Sequence, residues 1–289
     1  MWREALLGAA AVGSACLLRS EYEKKHFSVE ETEIFSPKIQ KDRVFVFLSD
    51  LHNNEFGPGN SRLLRAVEQI RPDAVLSGGD MMVCKGKRDI QVPLALFQAL
   101  SEKVPVYCGN GNHENRMTWE REVYGGLYEE YKHRLMEMGI HFLENNTEDF
   151  GEDISITGLD LERACYRKAL FKRLPSMPET EIEKKVGKNR AQERGRFSIL
   201  LAHSPAYFES YAQWGADLTL SGHFHGGTIR LPGLGGVMTP QYQFFFPWCA
   251  GLCERHGKKM VVSRGLGTHS INIRLNNRPQ LAVIRLRKG

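Results

Sequence analysis

The sequence predicts an α/β protein, and three observations carry that prediction. Short apolar runs without polar alternation, such as Val-Phe-Val-Phe-Leu at 44–48, read as strands covered on both faces. Segments of helical period separate these runs, so strand, loop, helix and strand repeat as crossover units between parallel neighbours. Beyond Gly226-Gly227, β-like segments with turn glycines (228–231, 259–263 and 280–285) suggest a second sheet packed on the first.

In chain order, residues 5–18 form an Ala-rich apolar stretch between Arg3 and Arg19. It falls short of the roughly 20 residues that span a bilayer, so a shallow membrane anchor and a surface helix are both readings of it. Residues 21–41 read as a charged connector, which divides the chain into 1–41 and a domain over 42–289. The strand at 44–48 runs into Asp50 and His52. Asn60-Ser61 is placed to cap a helix with Leu63, Leu64, Val67 and Ile70 on one face, ended by Arg71-Pro72. The strand at 74–77 empties into Gly78-Gly79-Asp80, and a helix near 93–103 buries Leu94, Phe97 and Leu100. A third strand, 104–108, ends in Gly109-Asn-Gly-Asn-His-Glu and delivers Asn112, His113 and Glu114.

A helix at 124–138 has a charged outer face, and His133 and His141 belong to that solvated region. The strand at 154–159 carries Asp160 at its end, as a turn residue or a site residue. The stretch 161–196 is rich in Lys and Arg, a solvated face that lies between two strands and near enough to their ends to steer an anion. Strands at 197–202 and 218–221 end in His203 and in Gly222-His-Phe-His, which contributes His223 and His225. An aromatic cluster follows at 242–248, either packed in the core or touching something apolar. His256 and His269 read as surface residues.

Composition bounds the rest. With 289 residues, 42% hydrophobic and 25% charged, the chain can bury one sizeable core. A net charge of +5 suits an anionic partner without requiring nucleic acid, and none is expected. Six scattered cysteines in a chain of this size read as free thiols. Cys249 and Cys253 form a lone pair without the partners a closed zinc site needs.

Five strand ends thus deliver Asp, Asn or His, and buried groups of this kind require a shared counter-charge. The ordered set Asp50-x-His52, Gly79-Asp80, Gly111-Asn-His-Glu114, His203 and Gly222-His-x-His225 resembles the calcineurin-like metallophosphoesterase family. The resemblance runs from about Arg43 to the C-terminus and implies a four-layer α/β/β/α sandwich of two mixed β-sheets. It also implies two divalent cations, Mn, Fe or Zn. Asp50, His52, Asp80 and His225 would hold the first, and Asp80, Asn112, His203 and His223 the second. Asp80 would bridge them. His113 would serve the leaving group as a catalytic residue, oriented by a carboxylate such as Glu114. The implied activity is phosphoester hydrolysis, with a hydroxide between the cations attacking phosphorus in line.

In Ser263-Arg-Gly-Leu-Gly-Thr268 and the following Ile273-Arg-Leu-Asn-Asn-Arg-Pro279 the chain further resembles a bacterial branch of that family with an N-terminal membrane anchor. On that basis it is expected to be membrane-associated with its catalytic domain in the cytoplasm, a soluble cytoplasmic protein being the alternative. The substrate expected is a lipid-linked phosphodiester or pyrophosphate, such as a UDP-diacylglucosamine-like molecule, and the alternative is a soluble nucleotide phosphodiester or phosphomonoester. A non-catalytic scaffold on the same fold would have lost ligands or the leaving-group histidine, and here none is missing.

Overall fold

The fold, a computed structural model, describes residues 2–170, 174–268 and 271–289; His269 lies outside them. The strands in chain order are β1 (Ser28–Ser36), β2 (Arg43–Leu48), β3 (Ala74–Ser77), β4 (Val106–Gly109), β5 (His141–Leu143), β6 (Thr147–Phe150), β7 (Ile154–Leu159), β8 (Phe197–Ala202), β9 (Leu218–Ser221), the short pair β10 (Arg230–Leu231) and β11 (Gly235–Gly236), β12 (Gly251–Arg255), β13 (Lys258–Val262) and β14 (Gln280–Lys288). The helices are α1 (Trp2–Lys24), α2 (Ser61–Ile70), α3 (Gln91–Ser101), α4 (Asn112–Trp119), α5 (Arg121–Tyr124), α6 (Leu127–Glu137), α7 (Glu179–Val186), α8 (Arg190–Glu193) and α9 (Phe208–Trp214).

Two six-stranded mixed sheets stack face to face, ordered β1-β14-β2-β3-β4-β5 and β12-β13-β9-β8-β7-β6. Strand alternation sets the layers. On β2, Phe45 and Phe47 point between the sheets, where Leu76, Ile156, Ile199 and Leu220 meet them. Val46 and Leu48 point the other way, onto Leu63, Phe97 and Tyr131 of the helices. The outer face of the second sheet is covered by Ile182, Tyr211 and Trp214. The result is the four-layer α/β/β/α sandwich, and the parallel strands β2, β3, β4, β8 and β9 end on one crevice.

Four expectations are corrected. The strand at Gln280 joins the first sheet, not the second: β14 inserts between β1 and β2, parallel to one and antiparallel to the other. Its Leu281 faces the helix-side core while Ala282, Ile284 and Leu286 face the inter-sheet core, so both faces are buried, which an edge position would not allow. Much of 21–41 is sheet rather than connector, because β1 pairs with β14 along its full length. Asn60 does not cap α2; it sits at φ 59° and its Oδ1 accepts from the Phe56 N–H instead.

The fourth concerns location. Among the described residues no helix is long and apolar enough to cross a membrane, so the expected membrane-associated location is corrected to that extent: these residues include no membrane-spanning anchor. Residues 5–18 are part of α1, whose outer residues are exposed and whose inner end is fastened to the protein. There Ser20 Oγ accepts from the Arg274 N–H at 2.9 Å and Glu23 Oε2 from the Asn277 N–H at 2.8 Å.

Candidate metal centre

All the predicted site residues come together at the strand ends, buried. Asp50, His52, Asp80, His223 and His225 have φ between 49° and 64°, a region costly for side chains other than glycine. Strain of this kind costs roughly 1–3 kcal/mol per residue and persists where surroundings over-determine it, as at functional sites. Two approaches depend on glycine. A Cβ on Gly79, itself at φ 84°, would lie 2.0 Å from the Gly111 nitrogen, and one on Gly222 would lie 2.2 Å from Asp50 Oδ2. Gly222→Ala should therefore displace Asp50 and weaken metal binding, by about 10- to 100-fold if the effect matches that of losing a partner of a ligand. Metal titration of the folded variant checks this, and unchanged affinity would show that the loop has room.

Ligand atoms fall into overlapping groups lying within 4.8 Å of one another: Asp50, His52 and His225; His52, Asp80 and His113; Asp80, His203 and His223. His203 Nε2 is 3.1 Å from Asp80 Oδ2 and 3.7 Å from Asp50 Oδ1, while His52 Nε2 is 3.8 Å from each of the two aspartates. His52 Nε2 and His225 Nε2 face each other at 3.2 Å. Their Nδ1 atoms face the carbonyls of Met82 (3.4 Å) and Gly267 (3.2 Å), which can only accept. Both Nδ1 therefore carry the hydrogen, and two Nε2 lone pairs point at each other beside Asp50. The Asn112 amide turns its nitrogen to the same place, donating to His223 Nδ1 at 2.9 Å and to Asp80 Oδ2 at 3.3 Å, while its oxygen accepts from the His113 N–H at 3.3 Å. Converging acceptors repel one another unless a cation lies among them, so this donor set fits divalent metals.

Charge in the cation-free protein follows from the same geometry. Burial opposes charge on His203, but Asp80 and Asp50 outweigh it and raise its pKa to about 10. Burial raises Asp50 to about 6. Burial also works against the Asp80 carboxylate, yet His203 and His113 hold it well below the usual range. At pH 7.5 His203 thus carries a proton that a metal must displace, and affinity should rise with pH up to about 10. Calorimetric loading in Hepes and in Tris should reveal proton release as different observed enthalpies, and equal observed enthalpies in the two buffers would contradict it.

His113 differs from the ligands. Its Nδ1 accepts from the Cys84 N–H at 2.7 Å, and burial lowers its pKa to about 4, so the neutral ring carries its hydrogen on Nε2. Glu114 does not take the orienting role expected of it. Its carboxylate accepts from the backbone N–H groups of Asp80, Met81 and Gly111 at 2.8–2.9 Å, which ties the Asp80 and Asn112 loops together. Asp160 stands behind the site: it is buried, and its Oδ2 accepts from Asn110 at 3.1 Å.

Other contributors left little trace in the sequence. Ser49 Oγ donates to Asp50 Oδ2 at 2.6 Å. Buried Arg274 donates to the Gly265 and Gly267 carbonyls, and Asn277 to the His225 carbonyl at 2.7 Å, so Asn277 pins the His225 loop and Arg274 the turn beside it. Tyr166 sets its ring edge-on to His223, centroids 5.0 Å apart. The aromatic cluster divides: Phe246 and Trp248 pack inward, whereas Phe244 and Phe245 are about half exposed and Tyr242 lines the cleft. Phe246 meets Phe224, between the two histidines, at 5.2 Å, and Trp248 meets Phe208 at 5.8 Å. Phe246 and Trp248 thereby buttress the His223 loop.

The model of the family described as calcineurin-like phosphoesterase matches residues 43–227. The chain belongs to that family. It is 35% identical over 233 residues to the uncharacterized metallophosphoesterase YkuE of Bacillus subtilis, covering 78% of this chain and 71% of that one. It is 25% identical over 249 residues to the phosphodiesterase YaeI of Escherichia coli, covering 83% and 81%. The crystal structure of TT1561 of Thermus thermophilus superposes on 78% of this chain and 91% of that chain with a TM-score of 0.50 at 13% identity, a likeness of fold. As a calcineurin-like phosphoesterase, this protein is a metal-dependent hydrolase of phosphoric ester bonds, and its Asp and His clusters can hold metal.

Proposed function

We propose that this phosphoesterase is a two-metal phosphodiesterase acting on a soluble, nucleotide-type diester. Asp50, His52, Asp80 and His225 would hold one cation, and Asp80, Asn112, His203 and His223 the other, with Asp80 shared. Two bound cations supply a water of lowered pKa and charge to balance the phosphoryl oxygens. The chain's own residues supply the rest. The neutral His113, held by Cys84, offers its Nε2 hydrogen to the departing oxygen. It does not ligate, because its remaining nitrogen is protonated.

The observation that carries the diester reading is the cleft of about 380 Å³ beside the ligands, walled by Trp119, Tyr166, Pro240 and Tyr242. That is room for a small organic molecule. A monoester has one organic group to hold beside its phosphoryl group, whereas a diester has two. The name of the Escherichia coli relative agrees with this reading. The test compares bis(p-nitrophenyl) phosphate with p-nitrophenyl phosphate in Mn-loaded protein, the same leaving group on both. A higher kcat/KM for the diester is expected, and preference for the monoester would overturn the reading.

A further inference from the structure

The cleft beside the metal centre is more cationic than one diester requires. Lys85, Arg116, Arg163, Arg167 and Lys168 line it, and among the described residues no carboxylate does. Arg163 is neutralised at the rim by Glu120 at 3.0 Å. Two others are held in place: Arg116 donates to the Cys84 carbonyl at 3.1 Å, and Lys168 donates to the Tyr242 hydroxyl at 2.9 Å with its ammonium 4.7 Å from that ring's centroid. They crowd Lys85, whose pKa is lowered by burial and then by Arg116 and Lys168. Like charges gathered on fixed supports repel, and an anion among them relieves the repulsion. The scissile phosphodiester carries a single negative charge, which the metal centre meets.

We infer that Lys85, Arg116, Arg167 and Lys168 form a second phosphate subsite, so that the substrate is a phosphodiester bearing at least one further phosphate group. The inference rests on the phosphodiesterase reading for the position of the scissile phosphate. Its four members come from three places: the loop after β3, helix α4, and the segment after β7. Guanidinium and ammonium groups from separate elements can surround a tetrahedral phosphate with charge-assisted hydrogen bonds. Tyr242 and Trp119 flank them and leave room for the organic part between the two phosphates.

Calorimetric titration of the Mn-loaded full chain with thymidine 5′-phosphate, thymidine diphosphate and thymidine 3′,5′-bisphosphate tests this directly. The last two present a second phosphate at different distances. At least one of them should bind about tenfold or more tightly than the monophosphate, with a preference that shrinks as salt rises. The double variant Arg167→Gln, Lys168→Gln changes exposed side chains and should bring all three affinities within about threefold. Equal affinities in the unaltered protein would overturn the inference, as would a preference untouched by the double variant. Turnover of bis(p-nitrophenyl) phosphate by the same preparation reports separately on the phosphodiesterase reading. A clear second-phosphate preference without diester turnover would sink that reading and leave the subsite standing.

Discussion

Asp80→Asn is expected to lose both cations and, with them, hydrolysis of every substrate. The Asp80 carboxylate is fully buried and is the one that appears in two of the three ligand groups. Its Oδ2 lies 3.1 Å from His203 and 3.8 Å from His52, so it reaches both halves of the centre. Asparagine keeps the shape and can still accept the His113 backbone N–H that now bonds Oδ1 at 2.7 Å. The variant should therefore fold while removing the negative charge that balances two cations. Partners of ligands are already worth about 10- to 100-fold in metal affinity, so a shared ligand should be worth more than about 100-fold. Mass spectrometry of desalted protein reads this as metal per chain. Two equivalents retained would refute the bridge.

His113→Asn should separate binding from chemistry. The Nδ1 of His113 is occupied by the Cys84 N–H and its Nε2 carries the hydrogen, so it contributes a donor rather than a lone pair. Metal content should stay at the unaltered level while kcat falls by about 100- to 1,000-fold, the usual cost of removing one donor to a developing oxyanion. The loss should be largest for alkyl leaving groups and small for nitrophenol, whose oxygen needs little stabilisation. Because burial keeps the ring neutral down to about pH 4, deprotonation of an imidazolium at this position should leave no step in kcat between pH 6 and 8. A metal-depleted variant would instead make His113 a ligand.

Much of this centre was legible in the sequence because its geometry is local. A buried strand must stop where a charged group begins, and in a parallel sheet those stops share one crevice. Asp50, Asp80, Asn112, His203 and His223 could be read that way. What stayed hidden depends on contacts far apart in the chain. Asn277 meets Glu23 across 254 positions, and nothing near either residue announces it. The apolar run of β14 showed a strand but not which sheet would take it, since burial on both faces is common to all central strands. Glu114 follows His113 directly, yet on α4 it turns its carboxylate to the loops instead of the ring. The basic stretch 161–196 looked uniform, but it divides: Arg163, Arg167 and Lys168 face the cleft, whereas Lys184 pairs with Glu181 on α7.

The central claim, that this chain uses two cations to cleave a phosphodiester, is tested most directly by stripping the protein with a chelator and titrating Mn back. Bound metal and bis(p-nitrophenyl) phosphate hydrolysis are measured at each step. Activity should appear as the second equivalent binds and level off at two per chain. Full activity at one equivalent, or two bound equivalents with no diester hydrolysis, would contradict the account.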